Sequence, residues 1–182
     1  MFTLIFYSIL ITVLTIPFAT YMTDVHELTL YKYSKDIIYS FIIISFLALL
    51  INFFFPLNIY INSLIPLISL ILFLKFKKVF LNSIFLKFLI FQALLISVLI
   101  IKSNVYRPDA GLYHLPYIGI LNSEKIIIGL SNLHFRYGHT SIIQYFSAVS
   151  NNFIFKDNGI VFAQAIIASA VIINFTVQIF NY

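Results

Sequence analysis

Long apolar runs separated by short polar breaks restrict what this chain can fold into. They extend over residues 2–19, 37–55, 57–74 and 160–180, with another ending at Ile101. A helix needs about 20 apolar residues to cross the hydrocarbon core of a bilayer. Only 9% of the residues are charged, whereas soluble domains carry about 25%. The sequence therefore predicts an all-α polytopic transmembrane helical protein with about five spans.

The positions of the lysines predict the orientation of these spans. Lys75, Lys77, Lys78 and Lys87 lie close together between two apolar runs, and short loops rich in Lys and Arg stay on the cytoplasmic side. The polar connection 20–36 then also faces the cytoplasm, while the 55–60 turn and the segment after Ile101 face outward. Since no basic face carries interleaved aromatic residues, the net charge of +5 indicates membrane orientation rather than nucleic-acid binding.

The segment from about residue 102 to 159 is too polar for a span and too apolar for an ordinary loop. A helix beginning near Ala110 would place Tyr113, Tyr117, Ile120 and Leu121 on one face, which is typical of a helix lying along the membrane surface. A second surface helix is expected from Thr140 to about Phe155. The alternative is a short true span over 141–155, with the following "KDNG" turn in the cytoplasm.

This organisation divides the chain into two parts. Residues 1–84 would hold three spans and a basic cytoplasmic loop. Residues 85–182 would hold a fourth span, the external loop with its two surface helices, and the last span.

The first candidate for chemistry is the stretch "RPDAGLYHLP", residues 107–116. Asp109 follows directly after a span, with Arg107 as a nearby cation. A carboxylate at the boundary of water and lipid is costly unless it is paired or solvated, so such acids are functional candidates. Asp109 could equally cap the surface helix, because Asp is favoured at helix N-caps.

Histidines raise the question of a metal ion in the same loop. His114 stands five residues after Asp109, and His134 and His139 are five apart, which is not the i, i+4 placement of two ligands on one helix face. A divalent ion held by Asp109 with help from His114 remains open, and Mg²⁺ or Mn²⁺ would suit such an oxygen-rich site.

The stretch "IIIGLSNLHFRYGHTS", residues 126–141, holds the second group of polar residues. Arg136 lies between His134 and His139 and could hold a phosphate through two parallel hydrogen bonds. Contact with lipid headgroups is the alternative for this arginine.

Two of these motifs resemble a known class of enzyme. "DAGLYH" resembles the start of the first external loop of class C membrane glycosyltransferases, in the form Asp-x-x-x-Tyr, and "GHTSI" resembles the opening of their second surface element. Over residues 85–180 the chain is also similar to bacterial multi-pass proteins with Asp-(Ala/Thr)-Gly-Leu-Tyr-His and Gly-Leu-x-Asn-Leu-His-x-Arg signatures. Three spans precede the loop here instead of one, and "HT" stands where the class has His-Pro.

The resemblance implies a hexosyl or pentosyl transferase of the bacterial cytoplasmic (inner) membrane with an outward-facing loop. A sugar would move from a polyprenyl-phosphate donor to a glycan or lipid acceptor, with Asp109 as the base or as a metal ligand. Arg136 and His134 would bind the carrier phosphate. The other candidate substrate-binding residues are the remaining polar and aromatic residues of the loop: Arg107, Tyr113, His114 and His139.

Enzymes of this class are several hundred residues long, so we expect this chain of 182 residues to be the N-terminal portion of a longer protein. Two other readings stay open. In a transporter or flippase fragment, Asp109, His114 and Arg136 would line a polar path. In a small structural membrane subunit, the same residues would only meet headgroups.

Overall fold

A computed structural model describes residues 2–23, 28–103, 110–138 and 141–180, and these are helical over most of their length. The α-helices in chain order are α1 Phe2–Thr15, α2 Pro17–Thr20, α3 Leu30–Asn52, α4 Ile59–Asn62, α5 Leu64–Lys75, α6 Lys77–Phe80, α7 Ser83–Lys102, α8 Leu115–Ser123, α9 Ile142–Ser150 and α10 Asn158–Phe180. One π-helical turn, Ala110–His114, precedes α8, and two 3₁₀ turns, Leu130–Asn132 and Phe135–Gly138, precede α9.

The predicted all-α membrane class is confirmed. Within the described residues, four helical stretches are long and apolar enough to cross a membrane: Phe2–Thr20, Leu30–Asn52, Ser83–Lys102 and Asn158–Phe180. A fifth apolar stretch, Ile59–Lys75, is shorter.

Helix packing brings the two halves of the chain into one bundle. Helix α10 packs on α3 and α7, and α1 packs on α7. In the interior, the Gln92 side chain of α7 donates hydrogen bonds to Ser169 Oγ (2.8 Å) and to the Ile166 carbonyl (3.1 Å) of α10. Such hydrogen bonds between helices are common in membrane bundles, where water cannot satisfy polar groups.

The bundle has two distinct ends. At the lysine end, which carries the 75–87 lysines, the Tyr33 hydroxyl at the start of α3 donates to the Val79 carbonyl (2.8 Å). At the loop end, which carries α8 and α9, the Leu57 N–H just after α3 donates to the Leu121 carbonyl (2.9 Å). The basic stretch and the polar segment that follows α7 therefore lie at opposite ends of the bundle.

Helix α3 begins earlier than the predicted start at residue 37. The Thr29 side chain caps the helix by accepting from the Lys32 N–H (3.1 Å). Lys32 then pairs with Asp36 one turn later at 2.5 Å, and both side chains are buried. Because charge argues against a span, the sequence predicts a connecting loop for both residues, but pairing allows both to lie inside the helix.

The predicted third span, 57–74, is divided in two. Asn58 accepts from the N–H groups of Tyr60 and Ile61 and starts α4, and Ser63 separates α4 from α5. Lys87 lies inside α7 rather than in a basic loop, because Asn82 caps that helix at Ser83.

A group of asparagines, called here the asparagine joint, holds the loop end together; its members are Asn52, Asn62, Asn122 and Asn151. Asn62 is fully buried and donates to the carbonyls of Leu57 (2.6 Å), Ala148 (2.9 Å) and Asn151 (2.7 Å). Asn122 donates to the first two of these carbonyls as well. The joint thus connects the turn after α3 with the ends of α8 and α9.

The two predicted surface helices differ in their surroundings. Helix α8 buries Tyr117, Ile118 and Leu121 and leaves its other residues more exposed, as expected for a helix on the surface of the bundle. Helix α9 has nine residues, fewer than the predicted 140–155, and seven of them are buried. It packs against α3, α8 and α10, so it is enclosed by protein and is too short to cross a bilayer.

Candidate functional site at the loop end

The "DAGLYH" and "GLSNLHFR" signatures meet at Arg136. Its guanidinium lies 4.7 Å from the ring centre of Tyr113 and 5.5 Å from that of Phe135. Tyr113 belongs to the π-helical turn before α8, and Arg136 to the 3₁₀ turn Phe135–Gly138. Residues 23 positions apart in sequence therefore form one cation–π contact, and both are half-buried.

His134 lies beside the same arginine. Its Nδ1 accepts a hydrogen bond from the Arg136 backbone N–H (3.3 Å). The imidazole ring stacks on Phe135 (5.1 Å between ring centres) and contacts Tyr137 (5.4 Å). Since Nδ1 accepts, the neutral ring carries its proton on Nε2, and the exposed side chain can present this N–H to a ligand.

His114 connects the π-helical turn to α9. Its Nδ1 is 3.4 Å from Gln144 Nε2, and its ring centre is 4.2 Å from that of Tyr113. Gln144 also accepts from the Ser141 N–H (3.0 Å) in a capping box at the start of α9. We call the four residues Tyr113, His114, His134 and Arg136 the arginine cluster.

The remaining candidates, Arg107, Asp109 and His139, lie outside the described residues, so their roles stay predictions. Among residues 2–23, 28–103, 110–138 and 141–180, no group of three His, Asp or Glu side chains could hold a metal ion. A site for Mg²⁺ or Mn²⁺ at Asp109 likewise stays a prediction.

A cavity of about 270 Å³ lies next to the cluster. Its lining combines aromatic, apolar and polar residues: Leu49, Tyr117, Ile120, Leu121, Lys125, Ile126, Ile127, Ile128, Gly129, Leu130, Ser131, Tyr137, Gly138 and Tyr145. Tyr137 connects the two places, because its ring contacts both His134 (5.4 Å) and Tyr117 (5.8 Å).

Two buried tyrosines, Tyr117 and Tyr145, line the cavity, and their hydroxyls interact with each other. Burial raises the pKa of Tyr117 well above its usual range, and the neighbouring Tyr145 raises it further. Burial also raises the pKa of Tyr145, although its hydrogen bond with Tyr117 works in the opposite direction. Both phenols are therefore neutral at physiological pH and can bind a polar ligand without adding charge.

A glycine turn positions the segment that carries Arg136. Gly129 has φ of +89°, a left-handed conformation that residues with a side chain rarely adopt. The turn starts the 3₁₀ segment Leu130–Asn132, which leads to His134 and Arg136.

Large apolar side chains around the cluster are exposed. Ile128 is 97% exposed and Leu133 is 80% exposed, and Leu112 and Phe135 are similar. Exposed apolar groups in such number mark a surface that contacts lipid or protein, and in a membrane protein this surface suits the boundary between headgroups and acyl chains.

Sequence reasoning missed Gln144 and the Tyr117–Tyr145 pair. The periodicity of the sequence places Gln144 on the polar side of α9 and Tyr145 in its apolar stripe. This periodicity does not reveal that α9 is enclosed by protein, because Gln144 and Tyr145 interact with residues of the segment 110–123.

Fold and site together define a polytopic α-helical membrane protein with a polar, arginine-bearing cap at one end of its bundle. The chain belongs to the family described as a domain of unknown function (DUF8201), whose model it matches over residues 1–181. Searches of the curated proteins and of the solved structures found no match to it.

Proposed function

We propose that the protein transfers a sugar from a polyprenyl-phosphate carrier to a glycan or lipid acceptor at the loop end. One observation carries the proposal: the contact between Tyr113 and Arg136 joins "DAGLYH", which resembles the loop start of class C glycosyltransferases, to the "GLSNLHFR" signature. Motifs that served only to contact headgroups would not need to meet.

The chemistry of Arg136 suits the phosphate of a lipid carrier. A guanidinium binds two phosphate oxygens at once, and stacking on Tyr113 fixes the plane in which it does so. The Nε2–H of His134 offers a further donor beside it. Together they would stabilise the negative charge that develops on the phosphate as the sugar leaves.

Asp109 is the proposed base. It directly precedes in sequence the turn that carries Tyr113, and sugar transfer needs a carboxylate that takes the proton of the attacking hydroxyl. If Asp109 held Mg²⁺ or Mn²⁺ rather than acting as the base, the cation would stabilise the negative charge of the departing phosphate.

The surroundings suit a substrate that is partly lipid and partly sugar. The exposed apolar residues Leu133 and Phe135 flank Arg136 and would contact the carrier chain. Beside them, the cavity lined by Tyr117, Tyr137 and Tyr145 would offer neutral hydroxyls and aromatic faces to a sugar ring. We propose that this end faces away from the cytoplasm, because the lysines lie at the other end.

The test compares cells that lack the gene with cells that carry it in wild-type or altered form. Arg136→Ala and Asp109→Asn are each expected to abolish the sugar-bearing product and to leave the lipid-linked sugar donor accumulated, measured by mass spectrometry of lipid extracts and envelope glycans. Arg136→Lys should restore only part of the product, because lysine cannot bind two oxygens in one plane.

Lys102→Gln is the matched control, since Lys102 is an exposed cation at the end of α7 on the same side of the bundle. It should leave the products unchanged. Unchanged products in Arg136→Ala and Asp109→Asn cells, at normal protein levels in the membrane, would refute the proposal.

The second candidate function is transport, and the buried Lys32–Asp36 pair inside the candidate span Leu30–Asn52 favours it. Ionisable pairs within spans are typical of proton-coupled pathways. Transport predicts that Asp36→Asn abolishes proton-coupled solute flux into proteoliposomes while lipid-linked sugars stay at wild-type levels. Sugar transfer predicts no such flux in the wild-type protein.

A further inference from the structure

A cavity at the lysine end lies on the side of the bundle. It measures about 480 Å³, within the range of roughly 300–1,000 Å³ that is usual for ligand sites. Its walls are almost entirely apolar and come from α1, α5, α6 and α7, with Val13, Phe73, Phe80, Leu86 and Leu89 among them. We call it the side groove.

The side groove is firmly built. The Phe73 and Phe80 rings stack at 4.8 Å between centres, and Phe80 packs on Phe85 at 5.1 Å. At one end, the Asn82 side chain donates to the Tyr33 hydroxyl (2.7 Å) and caps α7 through the N–H groups of Ile84 and Phe85. The walls are therefore held by contacts that do not depend on a ligand.

The groove is open toward the bilayer. Leu81 is 74% exposed and Leu86 is 57% exposed, and both line the groove. Since α7 is a candidate span that begins at Ser83, this opening lies where a span enters the membrane. An acyl chain can enter from the side without leaving the hydrocarbon.

Three lysines lie close in sequence to the Leu81–Ser83 end of the groove. Lys77 and Lys78 stand three positions before Phe80 and Leu81, and Lys87 stands four positions after Ser83. Lys77 and Lys78 belong to α6, whose Phe80 lines the groove, and Lys87 belongs to α7, next to Leu86 in sequence, so all three lysines lie near the walls of the groove. All three lysines are exposed and available to an anion.

We propose that the side groove binds one anionic lipid, with an acyl chain against its phenylalanines and the headgroup phosphate on Lys77, Lys78 and Lys87. The site is at the opposite end of the bundle from the arginine cluster and does not depend on the proposed sugar transfer. The charge around the opening selects an anionic headgroup over a zwitterionic one, because each lysine near the membrane surface favours an acidic lipid roughly fivefold.

The chain contains no tryptophan, so one introduced tryptophan reports on nearby lipid. Ile90→Trp places the reporter one turn beyond Leu86 on α7, at a position 51% exposed. Phe46→Trp on α3, at a position 54% exposed, is the matched reference away from the groove. Each protein is reconstituted in phosphatidylcholine vesicles in which phosphatidylglycerol or phosphatidylcholine with brominated chains is added to quench the fluorescence.

Brominated phosphatidylglycerol should quench the Ile90→Trp reporter with at least a fivefold preference over brominated phosphatidylcholine. The Phe46→Trp reporter should show little preference in quenching. Replacing Lys77, Lys78 and Lys87 together with glutamine should remove the preference. Replacing the same three with arginine should retain it, because the charge is kept.

Val13→Phe separates the groove from a general attraction of acidic lipid to lysines. Filling the groove should lower the preference at the Ile90→Trp reporter, although all three lysines remain. Equal quenching by both lipids, a preference that survives the glutamine replacements, or a preference unaffected by Val13→Phe would each overturn the proposal. So would absence of quenching by either lipid at the Ile90→Trp reporter, since this would mean that protein covers the groove.

Discussion

The asparagine joint and the arginine cluster lie at the same end of the bundle and use polar residues in opposite ways. Asn62 is fully buried and its amide donates to three carbonyls of the chain itself. Arg136 and Tyr113 are half-buried, and His114 and His134 are exposed.

This difference separates polar side chains that stabilise the fold from polar side chains that a ligand can reach. A short neutral amide donates to backbone carbonyls that water cannot reach, although the Asn62 Oδ1 is buried without a hydrogen-bond partner among the described residues. A guanidinium on an aromatic ring keeps its fork of donors near the surface, where an anion can bind. We therefore expect changes in the joint to lower stability, and changes in the cluster to alter ligand binding with little effect on stability.

Gly159→Ala should have the largest effect on stability. A Cβ at Gly159 would lie 1.9 Å from the Ser150 carbonyl oxygen, and backbone atoms cannot move aside as a flexible side chain can. We expect the free energy of unfolding to fall by about 3 kcal/mol or more, measured by thermal unfolding in detergent micelles with circular dichroism.

Gly119→Ala is the matched control, because a Cβ at Gly119 meets nothing within 4 Å. Located in α8, it should leave stability unchanged or raise it by about 0.5–1 kcal/mol. Equal stability of the two variants would mean that α9 and α10 do not approach as closely as the joint requires.

Asn62→Leu should have the next largest effect. Leucine has a similar size but no donor, so the Asn151 carbonyl loses the Asn62 amide as donor, while Leu57 and Ala148 keep Asn122. We expect a loss of about 2 kcal/mol in the same unfolding measurement.

Asn132→Leu provides the comparison, since Asn132 is exposed in the 3₁₀ turn and its replacement should change stability by about 0.5 kcal/mol at most. Should Asn62→Leu be as mild, the joint would not hold the loop end together.

The sequence predicts the helical membrane class and most spans because hydrophobic length alone determines them. It does not predict the interior of the loop end. Asn62 stands in an apolar run, where a polar residue argues against a continuous span, yet its partners Ala148 and Asn151 follow 86 and 89 positions later. No local pattern contains such distant partners.

The candidate site is likewise only partly predictable from the sequence. Arg136 could be singled out because an arginine with two histidines is unusual in so apolar a chain. Its contact with Tyr113 depends on how α8 and the 3₁₀ turns fold back on the bundle, which periodicity does not determine. The sequence predicts a loop for Lys32 and Asp36, because it does not reveal that they pair inside α3.

The buried pair Tyr117–Tyr145 predicts an effect of alkaline pH on stability. Folding raises the pKa of both phenols, so their contribution is fully present below the unfolded value of 10.0 and is lost as the pH rises toward the folded values. As the pH rises from about 10 to about 12, the wild-type protein should lose more stability than the double variant Tyr117→Phe with Tyr145→Phe.

Thermal unfolding midpoints across this pH range measure the loss for both proteins. Tyr60→Phe, at a tyrosine 72% exposed, is the reference for removal of a hydroxyl. Parallel losses in the wild-type protein and the double variant would show that the pair does not titrate as buried phenols.

Tyr113→Leu should have the smallest effect on stability and separates the two regions most clearly. It removes the ring under Arg136, a partly exposed cation–π contact worth about 0.5–1 kcal/mol, whereas Tyr113→Phe keeps the ring and should cost less. Both proteins should unfold within about 1 kcal/mol of the wild type. Their binding of a short-chain prenyl phosphate, measured by calorimetry in micelles, should differ, because only a ring holds the guanidinium in one plane. If the Tyr113→Leu protein were strongly destabilised, Tyr113 would stabilise the fold as the asparagine joint does. If both variants bound the prenyl phosphate equally well, the ring would not orient Arg136.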